Sequence, residues 1–172
     1  DQTVTYTIIP TSGSGCAGNP FTATVIVRSE PVGVSTPATQ TVCSDEAIAQ
    51  IVLTTSNGMN GVTTYSWTRD KLVEVTGLAA TGTVDISGTP NNVTGVDQTV
   101  TYTIVPTSAA GCAGNPFTAT VIVHSEPLGV SAPASQTVCS DEAIAQIVLT
   151  TSNGMNGVTT YSWTRDNTIN VT

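Results

Sequence analysis

The sequence predicts an all-β protein made of sandwich modules in tandem, and three observations carry that reading. Residues 97–123, DQTVTYTIVPTSAAGCAGNPFTATVIV, repeat residues 1–27, DQTVTYTIIPTSGSGCAGNPFTATVIV, at an offset of 96; over 1–76 against 97–172, 65 of 76 positions are identical. Self-similarity on this scale marks a modular array. Threonine supplies 33 of 172 residues, with valine and isoleucine also abundant, and β-branched side chains suit pleated, half-buried surfaces. Apolar and polar residues alternate over short runs bounded by Gly, Pro and Asn, the pattern of strands with one buried face.

The Ser-Glu-Pro connector, at 29–31 and 125–127, sets the expected module edges. Residues 1–30 read as the C-terminal strands of a preceding repeat. Residues 31–126 read as one complete β-sandwich, and 127–172 as the N-terminal strands of a following repeat. Half-sandwiches leave strand edges and core faces bare. The chain is therefore expected to be an excerpt of a longer array, or a filament subunit whose tail completes the head of the next; only counterparts of 77–96 are missing. One unit of about 96 residues is large enough to bury its own core.

Within the repeat, 3–9 alternate with Val4, Tyr6 and Ile8 on one face. After Pro10 and a Gly/Ser-rich loop holding Cys16, residues 21–27 alternate again with Phe21, Ala23, Val25 and Val27 inward, and the two runs form an antiparallel hairpin. The short proline-containing connector predicts semi-rigid coupling between units. Residues 32–42 read as an edge strand interrupted by Pro37, and Cys43-Ser44-Asp45-Glu46 as a turn. Residues 48–55 read as a strand with Ile48 and Val52 on one face, Ile51 and Leu53 on the other. Asn57-Gly58 and Asn60-Gly61 supply a loop tip. Residues 63–68 form the next strand, with Tyr65 and Trp67 on one face; Trp67 is the expected centre of the core, its burial contributing on the order of 3–5 kcal/mol. Short strands follow at 71–77 and 84–87, and 88–95 read as a turn leading into the Asp97 strand. Seven or so strands at this spacing around one tryptophan describe an immunoglobulin-like sandwich. Tyr102 sits where such folds keep a corner tyrosine, or it is an ordinary core aromatic; Phe117 completes the expected core.

The strings TQTVCSDEAIAQIVLTTS, TTYSWT, VTG and TVTYTIVPTSAAGCAGNPFTATVIV resemble the PKD-like repeat of Bacteroidota cell-surface proteins, with its "tiCsG" turn, "YtWt" and "YtvtPt" strands and "GCtGtpftvtVtV" closing strand. The resemblance covers 31–126 and both flanks. It implies PKD-like β-sandwiches carried in tandem on giant adhesins and gliding-motility proteins, many exported by type IX secretion. It carries no catalytic residues. Asp45 stands where that family usually has Gly.

Four cysteines, Cys16, Cys43, Cys112 and Cys139, have no zinc-like spacing. In an exported protein they predict disulfides. One option is Cys43–Cys112 within the unit, worth roughly 3–4 kcal/mol on chain-entropy grounds. The topology speaks against that option, since the two turns lie at opposite ends of such a sandwich; the other option is bonding between neighbouring repeats, with Cys16 and Cys139 serving the flanking ones. Asp45 and Glu46 are the residues a calcium ion would take, although adjacent carboxylates on a turn are commonly just solvated, and no metal or cofactor is expected. Asn92 and Asn170 open Asn-x-Thr sequons. The one histidine, His124, is replaced by Arg28 in the other copy, and no nucleophile or paired-carboxylate pattern stands near a cleft, so catalysis is not expected.

A net charge of −8, from four Lys/Arg against twelve Asp/Glu, disfavours nucleic acid and anionic membrane. No apolar run reaches the ~20 residues of a membrane-spanning helix, so a leader or anchor is expected outside this stretch. The expectation is a structural repeat of an extracellular bacterial filament or adhesin, giving length, stiffness and attachment. Its partners would be neighbouring repeats along the filament, with surface polysaccharide or other cells beyond. Alternatives are a glycan-binding module, with Asn57 and Asn60 as loop contacts, or an accessory domain of a secreted enzyme.

Overall fold

The structure, a computed structural model, describes residues 1–59, 63–152 and 160–166, and every regular element among them is a strand. Strands β1 (Gln2–Ile8) and β2 (Phe21–Val27) form a separate antiparallel hairpin. The sandwich follows: β3 (Gly33–Thr36), β4 (Thr39–Cys43), β5 (Val52–Thr55), β6 (Thr63–Arg69), β7 (Val75–Leu78), β8 (Thr81–Gly82), β9 (Gly88–Asn92), β10 (Gln98–Ser108) and β11 (Phe117–His124). A last pair, β12 (Gly129–Ala132) and β13 (Val148–Thr151), repeats the β3–β5 pairing 96 residues on. Every buried residue among those described lies between Pro31 and Ser125.

One layer is a five-stranded sheet in the order β4-β11-β10-β6-β8, in which β4 runs parallel to β11 and the other pairs are antiparallel. The facing layer is made of the pairs β3–β5 and β7–β9. Reciprocal hydrogen bonds between Ile51 and Ile86, at 2.8 and 3.0 Å, join the two pairs through the residues just ahead of β5 and β9. Alternation along β10 and β11 sends Val100, Tyr102, Ile104, Ala119, Val121 and Val123 inward against Ile51, Leu53, Trp67, Val75 and Ile86. The edge of the Trp67 ring meets Tyr102 at 5.5 Å between centroids and 78° between planes, a favoured aromatic geometry. The indole N–H donates to the Val84 carbonyl at 2.7 Å. Gly82 lies over the indole so closely that a Cβ there would sit 2.2 Å from the ring. Tyr65 and Phe117 pack partly buried against this core.

Several local expectations give way. The strand expected over 32–42 is two strands in two sheets: it changes layer at Pro37, where a missing N–H ends the β3 pairing. Only Val52–Thr55 of the expected 48–55 strand is regular. Ile48 is buried with Ile51 and Leu53, while Val52 faces out. Residues 46–50 belong to no strand, and parity counting holds only within a regular strand. The 88–95 turn contains a real strand, β9, whose Pro90 is tolerated because β9 pairs through the ladder with β7 alone. Residues 84–87 form no strand. Tyr102 is not a corner tyrosine: its hydroxyl is buried without a hydrogen-bond partner. Burial pushes that phenol up to about 12, against a smaller opposing pull from the Arg69 charge.

Candidate functional site at the module poles

The chain enters the sandwich at one pole and leaves at the other. At the upstream pole Pro31 is fully buried. The Asn57 side chain brackets it: Nδ2 donates to the Glu30 carbonyl at 2.8 Å, and Oδ1 accepts from the Val32 N–H at 3.3 Å. Gly114 presses on the Pro31 carbonyl, where an added Cβ would come within 2.0 Å. Cys112 lies in the same β10–β11 loop, which closes on itself through Ser108: the Ser108 N–H donates to the Cys112 carbonyl and the Cys112 N–H to Ser108 Oγ. Asn60 lies outside the described residues.

At the downstream pole three turns converge on the end of β11. The Ser44 N–H donates to the His124 carbonyl at 3.1 Å. Asn92 is buried: its Nδ2 donates to the Val96 and Val123 carbonyls at 2.9 and 3.0 Å, while its Oδ1 accepts from the N–H and hydroxyl of Thr94. Asp97 takes the Ser125 N–H at 3.1 Å and meets His124 Nδ1 at 2.6 Å. The hydrogen bond from His124, then that from Ser125, holds the Asp97 carboxyl below its ordinary range. In the first copy Asp1 takes the Ser29 N–H at 2.9 Å and faces Arg28 at 3.9 Å. Either residue serves, because the carboxylate's constant task is to fasten the connector.

The Cys43–Cys112 disulfide is overturned. Cys43 stands beside His124 at the end of β11, whereas Cys112 precedes Phe117 at its start. Eight residues of strand put roughly 23 Å between them, against a Cα limit near 7 Å. Within the chain none of the four cysteines, Cys16 and Cys139 included, is paired with another. Each pole of the complete sandwich therefore carries one.

The acidic turn is organised for its own backbone. Asp45 occupies the left-handed region at φ 61°, as does Asp141 at 64°, which accounts for a family position that is usually Gly. Asp45 accepts from Asn91 Nδ2 at 2.7 Å, and Glu46 reaches back to the Cys43 N–H at 3.2 Å. Among the described residues no three His, Cys, Asp or Glu side chains converge as a metal site. The Asn92 sequon reading also fails in the folded module: both amide hydrogens are donated to carbonyls and the side chain is buried, so no acceptor nitrogen is accessible. Asn170 lies outside the described residues.

Arg69 was missed by sequence reasoning. Its five N–H donors reach the carbonyls of Ala79, Asp70, Lys71, Val75 and Leu78, each at 3.0 Å, and fix the backbone between β6 and β8 from inside. A signal was present: Arg69 continues the Tyr65, Trp67 phase of β6, which points inward.

These features define an all-β, immunoglobulin-like sandwich whose polar side chains are concentrated on closing loops and connectors. The chain belongs to the PKD-like domain family, whose model matches residues 1–31 and 40–127. Such domains are typically extracellular or cell-surface modules. No curated protein matches the chain.

Proposed function

We propose that the chain is a stretch of a tandem array in an extracellular bacterial filament or giant surface adhesin, where each sandwich adds length and stiffness and the array provides attachment. It acts mechanically, without catalysis and without a cofactor. Its neighbours are further copies of the same repeat, and type IX export from a gliding or surface-adherent member of the Bacteroidota is the setting we assign to it. The observation that carries this reading is the placement of entrance and exit at opposite poles. Pro31 is clamped at the Phe117 end of the sandwich and Ser125 at the His124 end, so successive units thread end to end. The eleven residues of β10 set the length of a unit at about 35 Å.

A rod needs its joints held, and both connectors are held by side chains: Asn57 on one side, Asp97 on the other. The Asn57 amide is committed to that clamp, which takes one of the two loop contacts of the glycan-binding alternative out of use. Electron microscopy of the native material tests the proposal. Thin fibres with an axial repeat near one module length are expected; isolated globular particles would refute it.

A further inference from the structure

The two loops that carry the cysteines are copied without change: residues 15–20, GCAGNP, recur at 111–116, and residues 41–50, TVCSDEAIAQ, recur at 137–146. In the complete sandwich each lies against a connector. At the entrance, Gly114 stands two residues after Cys112 with its backbone pressed on the Pro31 carbonyl. At the exit, Cys43 pairs in register with His124, the residue before Ser125, and the Ser44 N–H holds the His124 carbonyl. Cys43 is exposed and Cys112 half-buried, so an outside reagent reaches both poles.

The repeat offset lays one joint over the other, since Pro127 follows Ser125-Glu126 as Pro31 follows Ser29-Glu30. In a run of such units the Cys43 turn of one and the Cys112 loop of the next therefore stand at the two ends of a single Ser-Glu-Pro connector. Three residues span at most about 10 Å. Within one unit β11 holds the same two cysteines roughly 23 Å apart. The sheet adds an independent observation: β4 runs parallel to β11. Residues 31–43 and 112–125 thus both lead from the entrance pole to the exit pole, side by side, each with a cysteine at one end and a connector at the other.

We propose, resting on the array reading above, that Cys43 of each unit is joined by a disulfide to the Cys112 counterpart of the next, and that these staples make the array inextensible. Each staple forms one S–S bond from two thiols; two protons and two electrons pass to an external disulfide oxidant, which leaves as two thiols. Every joint is then bridged twice, by the connector and by the staple. Load enters a unit at Pro31 and leaves at Cys43, or enters at Cys112 and leaves at Ser125. Both paths are short straps, and residues 44–111, with most of the core, hang outside them. A strap of about a dozen residues reaches about 45 Å when fully drawn out, against about 35 Å for the folded unit. Without staples the whole repeat lies in the load path, and its unfolding releases on the order of 300 Å.

Peptide mapping of the native material tests this. The protein is alkylated with iodoacetamide in denaturant without reduction, digested and read by mass spectrometry. Peptides of the Cys43 type linked to peptides of the Cys112 type are expected at least tenfold above their alkylated forms. Alkylated cysteines throughout, or like paired with like, would overturn the proposal. Because β11 keeps the pair apart inside one unit, a mixed link joins two units, and the chain's mass on a denaturing gel must be the same with and without reductant; a fall on reduction would mean links between chains and would also overturn it. Single-molecule pulling supplies the mechanical reading. Native material should lengthen by only about 10–20 Å per unit, and steps near 300 Å should appear only after dithiothreitol. Steps of that size before reduction would refute the staples. The axial repeat seen by electron microscopy does not depend on the thiols, so the array reading and the staples can fail separately.

Discussion

Replacing Arg69 with Met removes a buried fork while nearly preserving side-chain length. All five carbonyls it serves belong to residues 70–79, a segment that also contains two left-handed residues, Lys71 at φ 54° and Gly77 at 77°. The bonds to Val75 and Leu78 are buried, so those carbonyls cannot recover a water; the other three are only partly buried and can. An orphaned buried acceptor costs about 1–3 kcal/mol, and relief from burying a cation without a carboxylate partner offsets some of it. The net loss is about 3–4 kcal/mol, a large part of the 5–15 kcal/mol typical of a domain. For a unit of this size that lowers Tm by roughly 15–25 °C. Arg69→Lys keeps the charge but brings three donors to five acceptors, and it should fall between wild type and Met. Urea unfolding followed by far-UV circular dichroism and by Trp67 emission measures both. A Met variant within ~0.5 kcal/mol of wild type, or a Lys variant equal to wild type, would refute the role given to the fork.

Three further outcomes follow from the same geometry. Gly114→Ala places a methyl against the Pro31 carbonyl and should cost about 2–3 kcal/mol, whereas Gly18→Ala, its counterpart in the lone hairpin, meets the Pro10 ring at 2.9 Å and the Pro10 carbonyl at 3.5 Å and should cost less in thermal melts. Tyr102 binds its proton more tightly folded than unfolded, so its contribution is fully present below pH 10 and is lost as pH rises toward about 12; a stability loss of about 2 kcal/mol across that window, absent in Tyr102→Phe, checks it by denaturant titration. Asn92→Asp sets a carboxylate against the Val96 and Val123 carbonyls and should cost about 2–4 kcal/mol; mass spectrometry of protein secreted through a glycosylating host should find residue 92 unmodified.

The parts of the fold legible in the sequence are those where alternation runs for six residues or more. β6, β10 and β11 show their inward faces directly, and Trp67, Tyr65, Tyr102 and Phe117 fall where the pattern puts them. The facing layer was harder to read because its strands are short and carry breakers: β9 contains Pro90 and two asparagines, and β7 is bent by Gly77. Alternation also reports only which face a residue takes, never which end of the sandwich it occupies. Locating Cys43 and Cys112 required the topology as well, and in the structure β4 proves to lie parallel to β11. Asp45 shows the complementary case, where one unusual residue in a turn carried geometric information that the φ angle explains.

The polar residues on the loops and connectors share a structural use. Asp97, Glu46, Asn57, Asn92 and Arg69 each direct hydrogen bonds to backbone groups of a turn, loop or connector. Among the described residues the phenols of Tyr65 and Tyr102 are pushed up, first by burial, and the Asp97 carboxyl is held down by the hydrogen bonds that fasten it to His124 and Ser125. In the array proposed above, side chains that fix the places where chain enters and leaves would stiffen the joint between modules, which is where an array of rigid sandwiches would bend. Load along such a fibre would meet its softest point at the connector, so the residues clamping Pro31 and Ser125 are the ones whose loss should shorten the persistence of the fibre without unfolding its modules.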